Sequence, residues 1–283
     1  MKKYVILLLI IVLCTSLIIG NTIQKESFVQ TETTLITHIY NESYLLPFWL
    51  THHKSLFDNI IIIDYNSTDD SIEICRKICP HCKIVTSVNK EFDAENVDKE
   101  VMEIENGIGG IKMCLNVTEF LFCEKNIKDI FSEFNNPTSL SVKAYSPYTK
   151  MEKDINNHSE LMKGLLSNDL YFHYDRGDRQ IHNFSNGNYT VGRHTTNNTT
   201  LPTEQLHIIW LGYYPWNNKL LLRKLQIQQK IPASDKNNGR GFQHLYEKEK
   251  LISIIDEKVK DGQTLSTINP KLYDMILRSG SAD

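Results

Sequence analysis

The chain has 283 residues, 31 of them basic and 34 acidic, for a formal net charge of −3. This length suffices for one large domain or two small ones with a sizeable core. Without a basic excess, nucleic acid is not indicated as the main partner, and 41% apolar with 23% charged residues is the composition of an ordinary globular chain.

In chain order, the first element is apolar. Lys2 and Lys3 precede a run from Tyr4 to Gly20. As a helix it would span about 25 Å, just short of a bilayer core of about 30 Å. The stretch "LIIGNTIQK" is a poor cleavage site, and Leu13 stands where a lipoprotein box needs a small residue. Residues 1–20 are therefore read as a membrane-spanning anchor, with a cleaved signal peptide as the alternative. The lysines then stay cytoplasmic and the remainder is lumenal or extracytoplasmic, or secreted if the segment is removed. Residues 21–32 form a polar stem.

One domain is expected over residues 33–270, followed by a tail at 271–283. "TLITHIYNE" reads as a strand running into a loop, and "SYLLPFWLTHHKSL" as a helix with a wide apolar face. "NIIIID", Asn59 to Asp64, has the continuous apolar character of a strand covered on both faces. Ser67, Thr68 or Asp69 can cap the helix in "DDSIEICRKIC". "CKIVTSV" is a strand, "ENVDKEVMEIE" a helix, and "GIKMCLNVTEFLF" a strand with a polar exit at Asn116. Such alternation indicates an α/β domain with a mostly parallel sheet. Ligands of such sheets bind at the carboxyl ends of the strands. Three of those ends carry polar clusters: Asn41–Glu42, Asp64 with its turn, and Asn116 to Glu119.

The second half, residues 126–270, is less regular. "TSLSVKAYSPY" reads as a strand and "HSELMKGLL" as a helix. The stretch from Asp169 to Thr196 reads as antiparallel strands joined at an "NGN" hairpin. "QLHIIWLGYYPW" is a further strand, and "NKLLLRKLQIQQKI" and "LYEKEKLISIIDEKVKD" are helices. Cys75, Cys79 and Cys82, beside His81, suit a disulfide or buried thiols better than a zinc site, because no second ligand pair follows. Of the eight glycosylation sequons, those at Asn41, Asn66 and Asn116 fall at strand ends and are read as binding residues. "RGD" at Arg176 to Asp178 is taken as a chance tripeptide.

"IYNESYLLPFWLTHH", "IIIIDYNSTDDS" and "IKMCLNVTEFLF", in this order and spacing, resemble the nucleotide-binding half of GT-A glycosyltransferases, in particular the family-2-like group. "GRH", "RKLQI" and "GFQH" extend the resemblance over roughly residues 33–250. It implies a Rossmann-like mixed sheet flanked by helices, with a nucleotide-binding half at 33–125. It also implies transfer of a hexose or deoxyhexose from a nucleotide-sugar donor to a glycan, protein or lipid. Asn41, Glu42, Asp64, Asn66, Ser67, Asp69 and Asn116 would line the donor pocket. An inactive nucleotide- or glycan-binding relative, and an extracellular adhesion module, are the rival readings.

The chain departs from this family's D-x-D element, which reads Asn116-Val117-Thr118 here. The metal that the resemblance implies, Mn²⁺ or Mg²⁺, would therefore have Glu119 and His244 as ligands. Alternatively Arg179, Arg193 or Arg223 would stabilise the leaving diphosphate, or catalysis would be lost. Affinity for a hard cation depends on the charge count of its ligands, which is reduced here. Asp178 and Asp235, with Glu119, are the candidate catalytic carboxylates. The cluster Trp210, Tyr213, Tyr214 and Trp216 is core or a sugar-stacking surface.

Overall fold

The structure is a computed structural model and describes residues 31–241 and 245–279. The segment read as a membrane anchor, and His244, lie outside the described residues. Among those described, no helix is long and apolar enough to cross a membrane.

The first half alternates as its sequence pattern predicts. β1 (Thr33–Ile39), α1 (Leu46–His53), β2 (Asn59–Asp64), α2 (Ser71–Ile78), β3 (Lys83–Thr86), α3 (Ala94–Asn106) and β4 (Ile111–Cys114) follow in turn. β1 lies parallel to both β2 and β4, and β2 parallel to β3. Ile39 stands opposite Asp64, and Asp64 opposite Thr86, so three strands stop on one line and release their loops at one edge. The isoleucine run of β2 is buried on both sides. Ile60 and Ile62 join a core with Leu35 and Trp49, while Ile61 and Ile63 join another with Ile36, Val97 and Val101. Strand side chains alternate between faces, so only an unbroken apolar run can serve both layers.

The rest comprises β5 (Glu119–Cys123), α4 (Ile127–Phe131), β6 (Ser139–Tyr148), α5 (His158–Leu165), β7 (Tyr171–His182) and β8 (Thr200–Trp210). Helices α6 (Asn218–Ile227), α7 (Ala233–Asn237), α8 (Lys248–Asp261), α9 (Leu265–Ile268) and α10 (Pro270–Ser279) complete it. The eight strands form one sheet in the order β3-β2-β1-β4-β7-β6-β8-β5. Four of its seven pairings are parallel. A mixed, mostly parallel sheet flanked by helices is the class expected for a GT-A domain.

Four features differ from the sequence reading. "GIKMCLNVTEFLF" is two strands, not one. The Glu119 carboxylate accepts the Asn116 N–H at 2.8 Å and closes a turn, after which β5 crosses to the far sheet edge against β8. The "NGN" stretch makes no hairpin. β7 instead pairs with β6, and the Gly187 N–H is taken by Glu105 Oε2 at 2.7 Å. The supposed tail holds α10, which buries Leu272, Met275 and Ile276. Residues 233–237, to which the sequence reading assigns no element, form the short α7. Cys79 and Cys82 form a disulfide, so they offer no thiolates to a zinc ion, and Cys75 is a buried free thiol.

The "WLTHH" stretch of α1 braces the start of β5. Trp49 Nε1 donates to the Glu119 carbonyl at 2.9 Å. His53 donates through Nδ1 to the Trp49 carbonyl at 2.8 Å, and its Nε2 accepts the Leu121 N–H at 3.1 Å. His52 Nε2 donates to the Leu121 carbonyl at 2.7 Å. Both rings are thereby held neutral. Burial pushes His52 down to about 4 and His53 well below the ordinary histidine value.

Candidate active site

A cleft of about 370 Å³ opens beyond the carboxyl ends of β1 and β4. His38 of β1, Asp98 of α3, Asn116 to Thr118 of the β4–β5 turn, and Arg176 and Arg179 of β7 line it. Gly192 to His194, Trp210, Arg223 and Lys224 of α6, Asp235 of α7 and Arg240 complete the wall. Its position is that of the ligand crevice of an open α/β sheet.

Three of the arginines expected to meet a diphosphate stand in this wall, and each already has a carboxylate. Arg223 forks onto Glu42 at 2.6 and 2.5 Å. Arg179 holds Glu119 through three contacts of 3.0, 3.0 and 2.6 Å. Arg193 pairs with Asp98, whose other oxygen accepts the Gly192 N–H at 2.6 Å. Arg193 also donates to Asn116 Oδ1 at 3.2 Å. Its backbone lies in the left-handed region at φ 57°, next to Gly192 at φ 89°. Asp98 thus pins a strained turn that aims Arg193 at the cleft.

Glu119 is fully buried behind this wall. Burial alone would raise its pKa, but the Arg179 guanidinium, Arg176 and the Asn116 N–H together hold it down to about 2. Its oxygens face Arg179 and Asn116, and the Asn116 oxygen faces Arg193. A divalent cation needs several free oxygen donors, preferably charged. At this turn every donor oxygen of Asn116 and Glu119 is already engaged by a cation or an N–H group. Among the described residues, the one group of three His, Cys, Asp or Glu side chains close enough to share an ion is Cys79, His81 and Cys82, away from the cleft. Of the described residues, Asn116 and Glu119 therefore do not fit the D-x-D metal that the resemblance implies.

The remaining predicted site residues divide. Asp235 lines the cleft but accepts the Ala94 N–H at 2.8 Å and lies 3.7 Å from Arg240. Asp178 lies instead on a second cavity of about 420 Å³, where it accepts from Ser141 Oγ at 2.6 Å and Tyr174 Oη at 2.7 Å. Asn41, Asp64, Asn66, Ser67 and Asp69 line neither cavity. They tie the loops of β1 and β2 to one another. Asp64 Oδ1 accepts the Ser67 N–H at 2.9 Å, Ser67 Oγ the Asn41 N–H at 3.1 Å, and Asn41 Oδ1 the Thr68 N–H at 2.8 Å. Asp69 accepts the Ser43 and Ser71 N–H groups, each at 3.0 Å. Asn41 and Asn66 sit at φ 53° and 58°, a region asparagine tolerates better than most residues. The expectation that Asn41, Asp64 and Glu119 share one crevice is thus not met: the first two knit adjacent loops, and the third is sealed under Arg179.

Among the described residues, two cations in the wall have no carboxylate within ion-pair distance. Arg176 has its guanidinium carbon 4.2 Å from the centre of the Trp210 ring, and its Nε is buried with no hydrogen-bond partner. Lys224 is buried, with Nζ 4.1 Å from the Tyr213 ring centre and 5.6 Å from that of Trp210. Burial, then Arg223 and Arg176, push the Lys224 amine down to about 7. His38, partly buried in the same wall, is pushed to about 3 by desolvation and by Arg193 and Arg179. His194 borders both cavities, and its Nδ1 accepts from Arg179 at 2.8 Å. Burial and the two neighbouring arginines lower its pKa, which keeps the ring neutral. Asp98, Arg176, His38 and Lys224 were not picked out from the sequence. Arg176 was hidden in the "RGD" tripeptide, and Asp98 looked like one more charge on an amphipathic helix.

No family model matches the chain, and no curated protein matches it. Partial likeness to solved structures was found. The structure of S. aureus TarS 1-349 in complex with UDP shares 15% identity over 44% of this chain and 38% of that one, with a TM-score of 0.31. Glucosyl-3-phosphoglycerate synthase from Mycobacterium tuberculosis, in complex with Mn²⁺, UDP and glucosyl-3-phosphoglycerate, shares 13% identity over 42% of this chain and 45% of that one, with a TM-score of 0.29. This chain therefore matches less than half the length of each. Likeness at this level carries no function across.

Proposed function

We propose that the chain is a GT-A-type glycosyltransferase that transfers a hexose or deoxyhexose from a nucleotide-sugar donor. One observation carries the reading. The cleft at the carboxyl ends of the parallel strands has more cations than carboxylates, as a nucleoside diphosphate requires of its host. The motif resemblance around Asn41–Glu42 and Asp64 points the same way. The second cavity, with the hydroxyls of Ser141 and Tyr174, the carboxylate of Asp178 and a shared wall at His194, is the proposed acceptor side. There Asp178 is the carboxylate closest in kind to a general base, although two hydroxyl groups already donate to it. Residues 4–20 would tether the domain to a membrane. Extraction of the full-length protein into alkaline carbonate would contradict that tether.

A thermal-shift series on the full-length protein with UDP, GDP and dTDP tests the donor site, because a ligand bound only by the folded state raises the melting temperature. Stabilisation by one of them is expected, and no response to any would contradict the reading. The engagement of Glu119, Asp178 and Asp235 favours a second reading, a nucleotide-binding relative without transfer. That protein would show the shift without releasing sugar from any donor.

A further inference from the structure

We infer that Arg176 and Lys224, gathered beside the Trp210 ring, form a metal-independent site for the diphosphate of the ligand. This deepens the donor reading above and rests on it for the identity of the anion's carrier.

The inference starts from charge pairing. Arg179, Arg193 and Arg223 are balanced by Glu119, Asp98 and Glu42. Such pairs leave little net field for a ligand. Arg176 and Lys224 have no carboxylate within ion-pair distance among the described residues, yet Lys224 and the Arg176 Nε are buried. Holding a partly buried cation such as Arg176 without an ion pair costs free energy. Burial, with Arg223 and Arg176, lowers the Lys224 amine to about 7, so part of that group stays neutral until an anion arrives. A cation–π contact returns about 0.5–2 kcal/mol. The aromatic faces therefore do not offset the cost, and an anion entering the cleft would. The backbone is shaped to hold this arrangement. A Cβ on Gly212 would run into the Trp210 ring, so only glycine lets the ring lie where Arg176 meets it. The chemistry selected is a compact polyanion with two or more charges. The turn that should have supplied a metal has no free donor oxygens on Asn116 or Glu119, so neutralisation falls to these two side chains.

The test is calorimetric titration of the full-length protein with inorganic pyrophosphate in EDTA. Saturable binding is expected without added metal, weakened at least tenfold in Arg176→Met and in Lys224→Met. A second measurement needs no variant: pyrophosphate should shield Lys224 from acetylation by acetic anhydride, read by peptide mass spectrometry. Binding that appears only with Mn²⁺ or Mg²⁺, with Lys224 labelled equally in both states, would overturn the inference. Turnover of a nucleotide sugar under that same metal requirement would leave the glycosyltransferase reading standing. Conversely, pyrophosphate binding with Lys224 shielded, but no affinity for any nucleotide, would sink the donor reading and keep the anion site.

Discussion

At the scale of the residue, Glu119 shows how a motif position can change its work. In sequence it stands in the D-x-D region, the sole acid there, and reads as a metal ligand. In the structure it is the counter-charge of Arg179 and the lock on the β4–β5 turn. Removing one partner of a buried pair leaves the other charge uncompensated, which costs about 3–5 kcal/mol. Glu119→Ala should therefore lower unfolding free energy by that amount in urea titrations. Near-native stability would show that Arg179 is not relying on it. The same pair gives a pH dependence. The carboxyl has an ordinary value of 4.5 and about 2 when folded. Its contribution is complete above 4.5 and is lost as pH falls toward 2, to a total of about 3 kcal/mol. Gly212→Ala is predicted to weaken pyrophosphate binding severalfold and also to lower the melting temperature, since the added Cβ would push the buried Trp210 ring from its place in the core. Unaltered affinity would remove the ring from the site.

At the scale of the element, α1 and α10 carry the lessons. The α1 histidines looked like part of a functional motif and prove to be a brace on β5. A neutral ring that accepts the Leu121 N–H cannot take a second proton without losing that bond. The unfolded ring titrates near 6.5, whereas His52 is lowered to about 4 in place. Folding stability from this brace is thus complete above 6.5 and falls as pH drops from 6.5 toward 4. The slope should be about 1.4 kcal/mol per pH unit for each ring. Urea midpoints measured across that range check it, and a flat profile would contradict the buried neutral rings. α10 lies where a tail was expected. Its three buried side chains are each worth about 1.5–3 kcal/mol. Ending the chain at residue 269 should leave it unfolded or aggregated by circular dichroism and gel filtration.

What was legible followed from periodicity. The first-half strands and helices are fixed by local pattern, and the double-sided burial of β2 is written in its four isoleucines. The break at Leu115–Thr118 was not legible, because the apolar content runs on across it and the turn depends on a side chain reaching back to Asn116. A cleft lies beyond the ends of β1 and β4, but its lining was not legible. Arg176 and Lys224 stand on β7 and α6, some fifty residues apart in sequence, and meet only through the sheet order. No spacing rule links them. The strand-end oxygens of Asn41 and Asp64 were read as ligand contacts, when a chain that stops three strands on one line must also tie their loops together.

At the scale of the whole molecule, a sheet with parallel strands on one side and mixed, mostly antiparallel pairs on the other brings two cavities against one histidine, His194. That arrangement suits a donor and an acceptor meeting across a shared wall. The most direct measurement is mass spectrometry of nucleotide sugars incubated with the full-length protein in EDTA, with and without candidate acceptors. Release of a nucleoside diphosphate from at least one donor is expected, and its loss in Arg176→Met. Failure to bind or consume any nucleotide sugar, with or without Mn²⁺ supplied, would contradict the assignment.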